Sequence, residues 1–262
     1  MKKNITLSEL AKICGCSAAT VSYVLNGRKD QRISAETEQK ILQMANLYQY
    51  RINPYAKALA TGELHNIMFF YEYSDFTFEK SETLNFINEI SKFLKENKYN
   101  VIVAPAGQVQ TFNFVDAIIT YKISRDTFFE LANKNYVPVI SIDTIINDNL
   151  FYEITNKFEN IINDTKTIYL TTPYKDNEIN KLLMDRGNIC FINSFKDLYD
   201  AINKYKNNDF ITFNYEIKKY LESLSIPIDF YCINTKEKYE AILQSINNSI
   251  SRIESDNHQI KV

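Results

Sequence analysis

Histidine, glycine and cysteine are scarce in this chain of 262 residues, and each shortage removes a class of function. Only His65 and His258 could serve as imidazole bases, so a Ser-His-Asp set has no support. The five glycines, Gly15, Gly27, Gly62, Gly107 and Gly187, allow neither a G-x-G-x-x-G turn nor a P-loop to cradle phosphates. Cys14, Cys16, Cys190 and Cys232 lack disulfide or zinc spacing, and Cys14-x-Cys16 reads as packing across a helical turn. Asp and Glu are plentiful, yet none is spaced as an acid–base pair. No catalytic residue, metal ligand or cofactor is therefore expected. A signal peptide and long apolar runs are also missing, which reads as a cytoplasmic protein with no membrane partner.

What is present is a core and an uneven charge. Hydrophobic residues make up 45% of the chain. Abundant Asn, Ile, Lys and Tyr reflect the codon bias of an AT-rich genome rather than a function. Residues 1–62 hold nine Lys/Arg against four Asp/Glu, a net of +5, and the remainder hold 21 against 28, a net of −7. A basic head on an acidic body is the electrostatic footprint of nucleic-acid binding.

The head reads as short capped helices. Thr6 with Glu9 forms a capping box opening a helix whose apolar positions are Leu7, Leu10, Ala11 and Cys14. Gly15 ends it. Ser17 caps a second helix with Val21, Val24 and Leu25 as its buried stripe, and Asn26-Gly27 stops it. Ser34 caps a third, with Glu36 and Glu38 in its first turn. The first two helices form a helix-turn-helix. The outer face of the second carries Ala18, Ala19, Ser22 and Tyr23, small enough at its start to enter a major groove. Lys2, Lys3, Lys12, Arg28, Lys29, Arg32, Arg51 and Lys57 surround it. Further on, Asn53 is an N-cap and Pro54 sits at the first helical position, with Tyr55 to Ala60 following and Gly62 ending the segment. A helix this short is marginal alone, so it is expected to order when paired with its twin on DNA. Leu59 on it would enter a minor-groove step and kink the duplex.

The runs TLSELAKICGCSAATVSYVLNGR, RISAETEQKIL and NPYAKALATG resemble the DNA-binding head and hinge of the lactose/galactose-repressor (LacI/GalR) family of bacterial transcription regulators. The resemblance is close over residues 5–70 and loose beyond. It implies a homodimer on a pseudo-palindromic operator in double-stranded DNA, with a periplasmic-binding-protein-like sensor body. Carried over by position, Ala18 and Ala19 take the two base-reading places and Tyr23 the third. Thr20, Ser22 and Asn26 fall at phosphate-contacting places, and Leu59 at the hinge wedge. The full set expected to face DNA is Thr6, Ser17, Ala18, Ala19, Thr20, Ser22, Tyr23, Asn26, Arg28, Arg32, Asn53, Tyr55, Ala56, Lys57 and Leu59. Ile52 stands where the family commonly has Pro, and Glu38 where it has a basic residue. Two alanines offer only methyl contacts, so base specificity must lean on Tyr23, the hinge and DNA shape.

After Gly62, strands and helices alternate, which argues a parallel, doubly wound sheet. Strands are expected at 66–73, 101–104, 115–120, 137–142, 167–171, 189–192, 210–213 and 230–233. Helices are expected at 82–97, 126–135, 152–163, 176–185, 195–205, 216–224 and 237–253. The fold expected is therefore an all-α helix-turn-helix head (1–50), a hinge helix (51–63) and an α/β two-lobed body. Its first lobe spans 64–143, with 236–262 returning to it, and its second spans 144–235. The body is shorter than the family's usual one. The connection at Gly107–Phe114 is too short for a helix.

Family sensors bind sugars or purines between the lobes through an acid and an arginine. Here Asn214-Tyr215 stands where Asn-Asp is typical and Asn234-Thr235 replaces Gly-x-Asp. No Arg-x-x-Gly-Phe occurs near Asp176–Lys181, and Arg186 does not replace it. The remaining effector candidates are Tyr73, Asp75, Phe76 and Phe78, with Tyr71 nearby, against a reading of these as lobe packing. The sequence thus reads as a sequence-specific repressor with a small effector such as a sugar or a protein corepressor. The alternative is a DNA-binding dimer whose degenerate body binds no effector and serves as a dimerisation or docking platform.

Overall fold

The computed structural model describes residues 5–28, 30–50, 64–158, 161, 164, 166–253, 255 and 257–262. The chain forms two compact units, 1–64 and 65–262. The first contains α1 (Leu7–Cys14), α2 (Ala18–Leu25) and α3 (Ala35–Leu47). Each begins where a hydroxyl supplies a cap. The Glu9 N–H donates to Thr6 Oγ1 at 3.2 Å while the Thr6 N–H donates to Glu9 Oε2 at 2.7 Å, completing the capping box. Ser17 and Ser34 accept from Thr20 and Thr37 N–H at 3.0 and 3.2 Å. Gly15 ends α1 at φ +71°, a left-handed conformation that a side chain would disfavour. Leu10, Ala11 and Cys14 of α1, Val21 and Val24 of α2, and Ile41 and Ala45 of α3 close one core. Leu10, Val21 and Ile41 are fully buried, each worth about 1.5–3 kcal/mol. The expected hinge, with Arg51, Asn53, Tyr55, Ala56, Lys57 and Leu59, lies outside the described residues.

The second unit is built on two parallel sheets. The first has β1 (Asn66–Tyr71), β2 (Asn100–Val103), β3 (Ala117–Tyr121), β4 (Val139–Ile142), β5 (Glu153–Thr155) and β10 (Gln259–Lys261), in the order β10-β5-β4-β3-β1-β2. Strand period places Ile67 and Phe69 on one face, with Phe86 and Ile90 of α4 (Thr77–Glu96) and Ile242 and Ile246 of α9 (Lys236–Ser251). Met68 and Phe70 face the other way, onto Phe128 and Leu131 of α5 (Arg125–Lys134). Burial on both faces is why these strands read as continuous apolar runs. The second sheet has β6 (Thr167–Thr171), β7 (Ile189–Phe191), β8 (Asp209–Thr212) and β9 (Asp229–Phe230), in the order β7-β6-β8-β9. On one face Ile168, Leu170 and Phe210 meet α7 (Phe195–Lys204) and α8 (Tyr215–Ser223). On the other, Tyr169 meets Ile179 and Leu183 of α6 (Asn177–Arg186).

Two expectations are corrected, and one strand is new. Residues 152–163 were expected to be helical, but Glu153–Thr155 is a strand in the first sheet, hydrogen-bonded between β4 and β10. Pairing across the sheet overrides the helical spacing of apolar residues there, and the buried Glu153 carboxylate accepts from the Ile146 and Asn147 N–H at 2.8 and 3.0 Å. Helix α4 begins at Thr77 rather than at 82, because Phe78 is buried against the second sheet. Strand β10 has no counterpart in the sequence reading, since its three residues carry too short a pattern to register. The connection at 107–114 has no helix, as its length requires. Asn135 stands in for one, accepting from the Phe112 N–H at 2.7 Å and donating to the Gln110 carbonyl at 3.0 Å.

Candidate nucleic-acid interface and the cleft of the body

In the head, α2 is set by its two ends. Ser17 Oγ accepts from the Thr20 N–H and lies 2.8 Å from Thr20 Oγ1. Asn26 Nδ2 donates to the Ser22 carbonyl at 2.7 Å and reaches Ser22 Oγ at 3.3 Å. Beyond Asn26 the chain closes a Schellman motif: the Gly27 N–H donates to Val24 O at 3.0 Å, and the Arg28 N–H to Tyr23 O at 2.9 Å. Gly27 provides the left-handed residue at φ +66°. The motif brings the Arg28 guanidinium to 5.0 Å from the centroid of the Tyr23 ring. Asp30 then takes Arg28 in a fork, with Nε donating to Oδ1 at 3.0 Å and Nη2 to Oδ2. The Arg28 and Gln31 donors hold the Asp30 carboxyl down at about 2.

Among the residues expected to face DNA, Ala19, Asn26, Arg28 and Arg32 are exposed, and Ser22 and Tyr23 are half-exposed. Ala18 is half-buried and packs on the head core. Thr6 and Ser17 are exposed but engaged as caps. Sequence reasoning missed Asp30, although an acid two residues from Arg28 in a basic head was the available signal.

The body places its polar side chains at the carboxyl ends of the strands, between the two sheets. Lys122 follows β3 and Asp143 follows β4, both in left-handed backbone, at φ +49° and +57°. Lys122 Nζ donates to Glu82 Oε1 of α4 at 2.5 Å and lies 4.3 Å from the centroid of the Tyr174 ring. The other oxygen of Glu82 accepts from Thr172 and Asn214, both 3.2 Å away and both at strand ends of the second sheet. Asn214 Nδ2 also donates to the Phe78 carbonyl at 3.1 Å. Glu82 therefore ties the two sheets together.

A second ion pair lies deeper. Lys238 Nζ, on α9, donates to Asp143 Oδ2 at 2.6 Å, to Asn156 Oδ1 at 3.0 Å and to Asn234 Oδ1 at 3.3 Å. Both members of the Lys238–Asp143 pair are 0% exposed. Burial pulls the Lys238 ammonium below its ordinary pKa, and Asp143 counters that pull. The hydroxyls of Tyr121 and Tyr174 are buried beside this network and have no hydrogen-bond partner among the described residues. Burial, with Glu82 and Asp143 nearby, pushes both phenols well above 10.

The effector candidates fall in two places. Tyr73 and Asp75 are exposed, with Lys80 near both. Phe76 and Phe78 pack with Phe195 and Phe78 with Tyr220 in the core of the second sheet. An open cleft of about 340 Å³ remains beside the network, lined by Asn85, Glu89, Phe230 and Tyr239 among others. Among the described residues no group of three His, Cys, Asp or Glu could hold a metal ion. No helix among them is long and apolar enough to cross a membrane.

The sequence reading overlooked Lys122, Asp143 as an ion-pair member, and Lys238. One signal was visible for the last. Lys238, Ile242, Ser245 and Ile246 share the buried face of α9, so the lysine sits on an apolar stripe.

The chain thus has a three-helix head with a capped helix-turn-helix and a body of two parallel sheets. Residues 6–53 match the family described as bacterial regulatory proteins, lacI family, and the head is a domain of that family. The fructose operon regulatory protein of Vibrio cholerae is 24% identical over 164 residues, 56% of this chain and 48% of that protein. The ribitol operon repressor of Klebsiella aerogenes is 41% identical over 66 residues, 25% of this chain and 24% of that protein. The chain spans about half the length of the curated relatives it matches over both regions. Among solved structures, the Lac repressor bound to ONPG in the repressed state superposes with a TM-score of 0.57 at 14% identity, covering 99% of this chain and 97% of that one. A LacI-family regulator from Silicibacter pomeroyi gives 0.56 at 13% identity, covering 98% and 96%. These establish the fold of the body.

Proposed function

We propose that the protein is a sequence-specific DNA-binding transcriptional regulator, a repressor that binds a pseudo-palindromic operator as a homodimer. The observation that carries this reading is the presentation of α2, capped at both ends with Ala19, Ser22 and Tyr23 turned outward on a basic head. The names of the relatives, fructose operon regulator and ribitol operon repressor, support it. Paired Leu59 side chains would kink the operator at its centre. Selection of binding sites from random duplex DNA with the full-length protein tests the reading, with a palindrome expected. Failure to rank any duplex above another would overturn it. Leu59→Ala should sharply weaken operator binding and leave salt-dependent, non-specific binding intact. Equal losses in both would remove the wedge.

A second reading concerns regulation, and the side chains that take up part of the space between the sheets, leaving a cleft of about 340 Å³, favour it. Lys122, Lys238, Tyr121 and Tyr174 occupy the carboxyl ends of the strands, the place where an α/β sheet ordinarily receives a ligand. The body would then hold the dimer or dock a protein without any small effector. A thermal-shift screen of sugars, nucleosides and sugar phosphates should give no stabilisation. A saturable rise in melting temperature would restore the sensor reading, because a ligand must stabilise what it binds.

A further inference from the structure

The recognition helix presents a single long side chain, Tyr23, among alanines and Ser22, and the way its ring is held has a consequence for specificity. The Schellman closure fixes the Cα of Arg28 next to that of Tyr23 through the 2.9 Å backbone bond between them. Stacking at 5.0 Å then places a planar cation on the ring. The Asp30 fork fixes the plane of that cation through Nε and Nη2, and the Gln31 amide, 3.0 Å from Asp30 Oδ2, steadies the carboxylate in turn. Every link in this chain is local, from residue 23 to residue 31. None of it depends on DNA being bound.

We propose that Arg28 and Asp30 are positioning residues for base reading: they preorganise the Tyr23 ring, and Asp30 withholds Arg28 from the phosphate backbone. The inference rests on the DNA-reading function proposed above. Its physical basis is competition for one planar donor fork. A guanidinium bound edge-on by a carboxylate matches the geometry in which it would otherwise bind a phosphate. While Asp30 holds Arg28, the head has one fewer cation to release counterions from DNA, so non-specific affinity is lower. The ring of Tyr23, held in one orientation before contact, loses less freedom on meeting its base pair, so discrimination is higher. Arg28 thus works through Tyr23 rather than as a free phosphate contact. Because the Asp30 carboxyl stays ionised at any pH used for DNA binding, Asp30→Asn is the variant that removes its charge while keeping its shape.

The test uses the full-length protein and the duplex that selection enriches. Affinity is measured for that duplex, for its single-base-pair variants and for unrelated DNA, over a range of salt. Asp30→Asn should tighten binding to unrelated DNA and steepen the log–log salt slope by about one, as a freed cation requires. Discrimination at the base pairs beneath Tyr23 should fall by about 2- to 5-fold, the worth of an exposed cation–π contact, with the other positions unchanged. Arg28→Lys keeps the charge but loses the planar fork, and should lose discrimination at the same base pairs. Asp30→Glu should restore part of it. If Asp30→Asn tightens every duplex equally, or Arg28→Lys leaves the base-pair profile intact, the positioning role is overturned. A wild-type protein that ranks no duplex above another removes the DNA-reading function as well, whereas a discriminating wild type with flat variants removes only this inference.

Discussion

The same three-part contact, a cation on an aromatic ring with a carboxylate holding it, occurs in both units of the protein. In the head it is Arg28, Tyr23 and Asp30; the buried example in the body is Lys122, Tyr174 and Glu82. The side chains of the head's ion pair are 51% and 54% exposed, those of the body's 13% and 9%. That difference in burial decides what each can do. An exposed pair contributes little to stability, so what it can do is orient the side chains beside it. A buried pair is surrounded by groups that water cannot reach, and removing one member strands the other. The head's pair holds an exposed ring in place. The body's pair joins its own sheets.

The largest effect is expected where burial is complete. Lys238→Ala leaves the Asp143 carboxylate, 0% exposed, without its cation, and should destabilise the full-length protein by about 3–5 kcal/mol in chemical denaturation. Replacing both members together, Lys238→Met with Asp143→Leu, should recover most of that loss, because the stranded charge is gone. A small loss from the single change would mean that water reaches the cleft, and the contrast between the units would narrow.

That network also marks the limit of what the sequence discloses. The head was legible almost to the residue because its determinants are local: Thr6 with Glu9, Gly15, Ser17 and Ser34 each act within four positions of themselves. The strands of the body were legible because burial on both faces leaves an apolar run. Strands β5 and β10, of three residues each, are defined by pairing with one another across more than half of the second unit, and no local pattern encodes that. The same holds for Glu82, which meets Thr172 and Asn214 only because the fold brings α4 over the second sheet. A lysine after a strand looks like any solvated charge until the opposing sheet covers it. Phe76 and Phe78 taught the converse, since aromatics after the first strand suit a ligand as well as they suit a core.

In the head, effects should be smaller and confined to caps and backbone. Gly27→Ala meets nothing within 4 Å of the new Cβ, so its effect is the left-handed strain alone, about 1–2 kcal/mol. Ser17→Ala removes the acceptor for the Thr20 N–H and should lower stability by about 1 kcal/mol. Both should weaken DNA binding in proportion to the loss of folded head. A fall in binding far beyond the fall in stability would mean that Ser17 touches DNA as well as capping α2.

Alkaline titration separates the interior from the surface without a substitution. Unfolding exposes the Tyr121 and Tyr174 phenols, which then ionise at their ordinary pKa of 10.0, whereas in the folded body burial holds both well above it. Above pH 10 the unfolded chain therefore binds fewer protons than the folded one. The stability these two groups confer is complete below pH 10 and falls as the pH rises beyond it. Tyr239, pushed up to about 12 by partial burial, acts in the same direction. Lys238 acts in the opposite one, since its folded pKa lies below 10.5 and its burial penalty is relieved as the pH approaches that value. Absorbance at 295 nm should accordingly show Tyr121, Tyr174 and Tyr239 ionising late, with Tyr121 and Tyr174 doing so only as the far-ultraviolet circular dichroism is lost. Early ionisation of Tyr121 and Tyr174 would show that water reaches them.

The smallest stability effect belongs to the exposed triad. Asp30→Asn should leave the melting temperature unchanged within error, because water solvates both partners of the broken pair. Its consequence is expected in DNA binding and discrimination rather than in stability, and that separation of readouts gives the comparison its edge. If Asp30→Asn measurably lowers the melting temperature, the triad is a fold determinant like its counterpart in the body, and any change in base preference would follow from a loosened helix. If stability holds while discrimination falls, one arrangement of cation, ring and carboxylate serves two purposes in one chain, and solvent access is what distinguishes them.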